Sequence, residues 1–138
     1  MLEFECDTEK FKELKDLWWY VPDSCIDDDI LPAIKAINSC PDLVTLYCCA
    51  GHPSFNDTLH YNGYICLAVK NLNGFLKLLD FYFKLGLNQK EIDSDFHSFI
   101  GYRRCTIRFQ PSGYRFKDEK EYFQFLNETA IQIFKGES

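Results

Sequence analysis

No apolar run in this chain approaches the roughly 20 residues that a bilayer-crossing helix requires, and no basic amphipathic segment is present to dock on a membrane surface. There is no internal repeat, no low-complexity tract and no composition break that would mark a linker, so the sequence reads as one domain, 1–138. A glycine-rich strand-to-helix turn of the dinucleotide-binding kind is missing, and so is a basic-then-apolar leader at the N-terminus. Acidic residues outnumber basic ones, 21 to 15. With a net charge of −6 the chain meets nucleic acid with a field of the wrong sign, and a nucleic-acid partner is not expected. The seven cysteines do not make a disulfide framework, because their number is odd and most fall inside apolar runs. They are expected to be reduced thiols in a cytoplasmic protein.

What is present is ample material for a core: 46% of the residues are hydrophobic and 17% aromatic. Thr8 is placed to cap a first helix with Phe11, Leu14 and Trp18 on its inner face, stopped by Pro22. Asp27 to Asp29 put a cap and negative charge at the start of a second helix. Pro32 is tolerated in its first turn, and Ile30, Ile34 and Ile37 form its buried stripe. Asn38, Ser39 and Pro41 break that helix, and Leu43 to Cys49 reads as a strand.

A polar loop from Pro53 closes at Asn62-Gly63, and Tyr64 to Val69 forms a second strand apolar enough to be central in a sheet. Asn71 caps a third helix with Leu72, Phe75, Leu76, Leu79 and Phe83 as its inward stripe and Gly86 as its stop. Gln89 to Gly101 has no dominant period and is expected to be a loop or short helix carrying His97. Tyr102 to Phe109 is a third strand, Pro111-Ser112-Gly113 a turn, and Asp118 opens a last helix with Phe123, Leu126, Ala130, Ile133 and Phe134 inward. The expected order is ααββαβα: an α+β fold with helices packed on one face of a small, largely antiparallel sheet.

Two features carry chemistry. The first is Cys48-Cys49-Ala50-Gly51-His52, where a strand end feeds a glycine that allows close backbone approach, so that amides and an imidazole can converge on a ligand. Cys49, His52 and His60 have the ligand chemistry for zinc, but a second paired-ligand element is missing, and Cys48 and Cys49 point to opposite faces of a strand. Cys49 beside His52 could be an activated thiol, though no third orienting residue is evident. The structural alternative makes both cysteines small buried hydrophobes, with His52 merely ending the strand. Neither a metal nor a catalytic residue is assigned.

The second feature is the arginines. All four lie between Arg103 and Arg115, while the eleven lysines are scattered. Strand alternation sets Arg104, Thr106 and Arg108 on one face and Arg103, Cys105, Ile107 and Phe109 on the other, so one face can meet an anion with planar guanidinium forks. Surface pairing with some of the 21 acidic residues is the competing role. Tyr47, Tyr64 or Trp19 is available to cover a planar ring.

Asp29-Ile30-Leu31-Pro32, Ile37-Asn38-Ser39, Pro41-Asp42, Thr45 and Cys49-Ala50-Gly51-His52 together resemble the N-terminal region of the tRNA wybutosine-synthesising protein 3 family. There a similar helix leads through an Asn-Ser and Pro-Asp turn into a strand and Ser-Ser-Cys-Ser-Gly-Arg. The likeness covers about 25 residues. Cys49 and Gly51 match that segment; Tyr47, Cys48 and Ala50 stand where the family has serines, and His52 where it has arginine. Short bacterial and phage proteins carry similar Cys-x-Gly-His segments. The family resemblance implies an α/β-type fold, S-adenosylmethionine as cofactor and methylation of a modified guanosine in tRNA.

From the residues, the expectation is a small binding domain without a cofactor, holding a nucleotide-like or other anionic metabolite. Gly51, His52, Cys49 and His60 would meet one part of the ligand, Arg104 and Arg108 its phosphate or carboxylate, and Tyr47, Tyr64 or Trp19 its ring. Sequestration of a signalling nucleotide is one use, by analogy with the phage proteins. The alternatives are an S-adenosylmethionine-dependent methyltransferase and a protein-interaction module using exposed Trp19 and phenylalanines. A homo-oligomer is compatible with each.

Overall fold

The computed structural model describes residues 7–49, 63–85, 91–97, 102–109 and 119–135. The 50–62 segment with Gly51, His52 and His60, together with Gly86, the 111–113 turn and Asp118, lies outside the described residues.

Among the described residues, four helices and four strands follow in the order ααββαββα: α1 (Thr8–Trp18), α2 (Leu31–Ser39), β1 (Leu43–Cys49), β2 (Gly63–Val69), α3 (Leu72–Leu85), β3 (Glu91–His97), β4 (Tyr102–Phe109) and α4 (Glu119–Phe134). Two single 3₁₀ turns, Asp23–Cys25 and Asp28–Ile30, lead into α2. The α+β class is as expected. The sheet is antiparallel throughout, in spatial order β1-β2-β4-β3, and β2 is central as its apolar sequence predicts.

β3 corrects the loop or short helix expected over Gln89 to Gly101. In Glu91-Ile92-Asp93-Ser94-Asp95-Phe96-His97 the charged residues alternate with Ile92, Ser94 and Phe96, a period-2 pattern hidden by the low strand propensity of aspartate. Pairing with β4 overrides that propensity, and charge on an edge strand discourages further strand addition.

Helices α2, α3 and α4 cover one sheet face. Leu43, Ile65, Leu67, Cys105 and Ile107 are buried there against Ile30, Ile34, Ile37, Leu78, Phe81, Leu126 and Ala130. The isoleucine stripe of α2 is fully buried, as its spacing requires. Helix α1 departs from the expected one-sided layer. Its Phe11 is buried against Val44 and Ala68, which project from the opposite face, with Leu14, Trp18, Leu46 and Tyr102 around them. Trp18 also touches the main core.

Three local expectations shift. Asp7, one residue before Thr8, caps α1 by accepting hydrogen bonds from the amides of Glu9 (3.0 Å) and Lys10 (3.2 Å). Asp27 makes no side-chain cap; the start of α2 is held instead by Asn127 of α4, whose Oδ1 accepts from the Ala33 amide at 3.0 Å and whose Nδ2 donates to the Asp29 carbonyl at 2.9 Å. The stripe of α3 is also rotated. Phe75, Leu78, Phe81 and Leu85 face the core, whereas Leu72, Leu76 and Phe83 are more than half exposed. This helix is apolar over so wide an arc that spacing alone does not fix its phase.

Asn71 does cap α3, accepting from the Gly74 amide at 2.9 Å, and its Nδ2 donates to Asp42 Oδ1 at 2.9 Å. Gly74 is required by proximity: a Cβ there would lie 2.9 Å from the Asp42 carbonyl oxygen. No described helix is long and apolar enough to cross a membrane.

Candidate functional site

The part of the second sheet face that α1 leaves uncovered is built by register. β1 and β2 pair as Thr45 with Leu67, then Tyr47 with Cys66, so Leu46 is an extra residue in a β-bulge. The bulge decides where Tyr47 points. In an unbroken register Leu46 would oppose Cys66 and Tyr47 would oppose Ile65 on the buried face; the inserted residue turns Tyr47 outward, where it is 66% exposed. Cys48 is consequently opposite Ile65 and packs at the edge of the core.

Two cross-strand rows define the open face: Tyr47, Cys66 and Thr106, then Cys49, Tyr64 and Arg108. Tyr47, Tyr64, Cys66 and Thr106 line a shallow hollow of about 250 Å³. Tyr47 and Tyr64 also form the shared wall of a second cleft of about 270 Å³, whose floor and sides include Trp18, Val21, Ile26, Leu46 and Cys48. The tyrosine pair therefore borders both hollows.

The charge of this face comes from β4. Arg104 is half-buried and in register with Ala68, one row beyond Thr106. Burial raises the Tyr102 pKa, the Arg104 guanidinium pulls it back, and Tyr47 and Cys66 push it further up, so these four side chains share one electrostatic neighbourhood. Arg108 is in register with Tyr64 on one side and Glu91 on the other; its side chain is outside the described part. Arg103 is buried on the helix-covered face, as alternation predicts.

Of the residues expected to form the site, Tyr47 and Tyr64 both line the hollow, Arg104 lies close by, and Cys49 and Arg108 are in backbone register with Tyr64. Trp19 does not join them. It is 82% exposed and lines a surface cavity of about 580 Å³ with Asp23, Lys35 and Ser39, which shares Trp18 and Val21 with the second cleft but no residue with the hollow. Sequence motifs alone do not mark Cys66 and Thr106 as ligand contacts. The signal for both lay in strand alternation, which sets Cys66 with Tyr64 and Thr106 with Arg104.

The segment that carries the family resemblance is largely structural where it is described. Asn38 and Thr45 bond to each other, and Asp42 Oδ2 accepts from Asn73 Nδ2 at 3.3 Å in addition to its bond from Asn71. Lys15 of α1 donates to the Asn38 and Cys40 carbonyls at 2.8 and 2.6 Å, satisfying the end of α2 where a cation is favoured. Among the described residues no three His, Cys, Asp or Glu side chains gather as metal ligands.

No family model and no curated protein matches the chain. Among solved structures, the PH1069 protein from Pyrococcus horikoshii is similar at 19% identity and a TM-score of 0.48, over 98% of this chain and 91% of that one. A likeness of this degree carries no functional argument.

Proposed function

We propose that this protein is a small cytosolic binding domain for a nucleotide-like metabolite: a planar ring bearing an anionic group. The observation that supports the reading best is the bulge at Leu46, which turns Tyr47 out beside Tyr64 around a hollow within electrostatic reach of Arg104. Tyrosine rings give a planar ligand a large, rigid contact surface at small entropic cost. Thr106 offers a hydroxyl to a polar substituent, and Arg104, with Arg108 in the adjoining row, supplies positive charge to a phosphate or carboxylate.

The activity is capture without turnover. Native mass spectrometry of protein purified from cells, followed by identification of any small molecule released on denaturation, tests it directly. A phosphorylated or carboxylated planar compound is expected, and recovery of that compound unchanged after incubation supports sequestration. Transfer of label from methyl-labelled S-adenosylmethionine to an acceptor would replace this reading with the methyltransferase one. Binding unaffected by Tyr47→Ala and Tyr64→Ala would remove the site.

A further inference from the structure

Neither hollow beside the tyrosine pair is large enough to be a whole small-molecule site. At about 250 and 270 Å³ each falls below the roughly 300–1,000 Å³ of cavities that enclose a complete ligand, whereas the two taken together lie inside that range. Tyr47 and Tyr64 line both. A phenol ring that borders two hollows has surface to offer a planar group in each, and the bulge at Leu46 is what puts Tyr47 in that position.

The second cleft adds an aromatic surface of its own. Half-buried Trp18 lines it beside Ile26 and Leu46, and packing against both hydrophobic clusters holds the indole in place. Each hollow can therefore take a planar ring against an aromatic side chain. One fused ring system is flat and rigid and cannot turn around a tyrosine that borders both spaces; two rings on a flexible link can.

From this arrangement we infer that the ligand captured at this face is a dinucleotide, two planar rings joined through a phosphate link, with one ring in each hollow and the tyrosine pair at their common border. The inference rests on the nucleotide-like reading above and extends it by one ring. Thr106 stays with the ring in the first hollow, and Arg104, which shares its electrostatic neighbourhood with Tyr47, brings positive charge to the side of the border where the link passes. One more base stacked on an aromatic side chain strengthens binding by roughly 5- to 150-fold.

The test is calorimetric titration of the full chain with the four nucleoside 5′-monophosphates, the four phosphodiester-linked homodinucleotides and the four pyrophosphate-linked ones. At least one dinucleotide should bind about tenfold or more tightly than its own mononucleotide, and the linkage preferred identifies which form of the class is held. Cys25→Trp, at an exposed residue that lines the cleft and not the first hollow, should bring dinucleotide affinity down to that of the mononucleotide, whose own binding is unchanged. Should circular dichroism show that variant unfolded, Val21→Trp obstructs the same cleft. Mononucleotide binding that depends on Tyr47 and Tyr64, with no gain from a second ring, overturns the inference and leaves the one-ring reading standing. A dinucleotide gain that survives the cleft variants overturns it as well, and absence of binding by every probe removes both.

Discussion

The amide group of Asn38 closes a two-way bond with Thr45: its Oδ1 accepts from the Thr45 backbone N–H at 2.9 Å while its Nδ2 donates to Thr45 Oγ1 at 2.8 Å and to the Ile34 carbonyl at 2.9 Å. A buried side chain thereby satisfies both the last turn of α2 and the start of β1, and fixes the angle at which β1 enters the sheet. The bulge that exposes Tyr47 begins immediately after this clamp.

Asn38→Ala should therefore destabilise the fold by about 2–3 kcal/mol, since it leaves buried backbone groups without their bonds. Thr45→Val removes only the hydroxyl partner and should cost about 1 kcal/mol. Urea denaturation midpoints measure both, and equal losses would contradict the two-way arrangement.

Asn127→Ala tests the bond between α4 and the start of α2. Loss of its contacts to Ala33 and Asp29 is expected to lower stability by about 1–2 kcal/mol, the scale of a helix cap. Thermal unfolding curves measure this loss, and an unchanged melting temperature would contradict the role given to Asn127.

Gly74→Ala sets two effects against each other. Helix propensity favours alanine by up to about 1 kcal/mol, but its Cβ would press on the backbone carbonyl of Asp42, which a side-chain rotation cannot relieve. Net destabilisation is expected, and an increased melting temperature would show that α3 can move away from the α2–β1 turn.

At the binding face, Tyr47→Ala, Tyr64→Ala and Arg104→Ala should each weaken capture of a fluorescent nucleoside phosphate by about 1–3 kcal/mol. Trp19→Ala, in a cavity that shares no residue with the hollow, should leave that affinity unchanged. Calorimetric titration that ranks Trp19 above the tyrosines would move the site to the Trp18–Ser39 cavity.

Alkaline pH supplies an independent check. Burial holds the Tyr122 hydroxyl far above the ordinary tyrosine range, so the folded state keeps a proton that the unfolded chain releases near pH 10. The resulting stabilisation is complete below about pH 10 and is lost as pH rises further, by at most about 1.4 kcal/mol per pH unit. Lys15 acts in the opposite sense: burial lowers its pKa below 10.5, so its contribution improves as pH rises towards that value. Tyr122→Phe is expected to flatten the fall in urea midpoint above pH 10, and an unchanged slope would assign the alkaline loss to other groups.

Much of this architecture is legible in the residue pattern. The isoleucine stripe of α2, the central apolar run of β2, the Asn71 cap and the alternation of β4 all follow from local periodicity, because each element's burial is dictated by its own spacing. Periodicity was less informative where a segment offered two faces or none. α3 is apolar over too broad an arc to reveal its inner side, and β3 is a strand only because β4 pairs with it.

The sequence by itself determined the α+β class, the helix-then-strand delivery of Tyr47 and Cys49, and the separation of Arg103 from Arg104 onto opposite faces of one strand. Only the tertiary structure decided that Tyr47 faces outward, that Tyr64, Cys66 and Thr106 gather beside it, and that Trp19 stands apart. The reason is register. A one-residue bulge reverses the direction of every side chain that follows it, and whether it forms is settled by pairing with a neighbouring strand, information that no single segment contains.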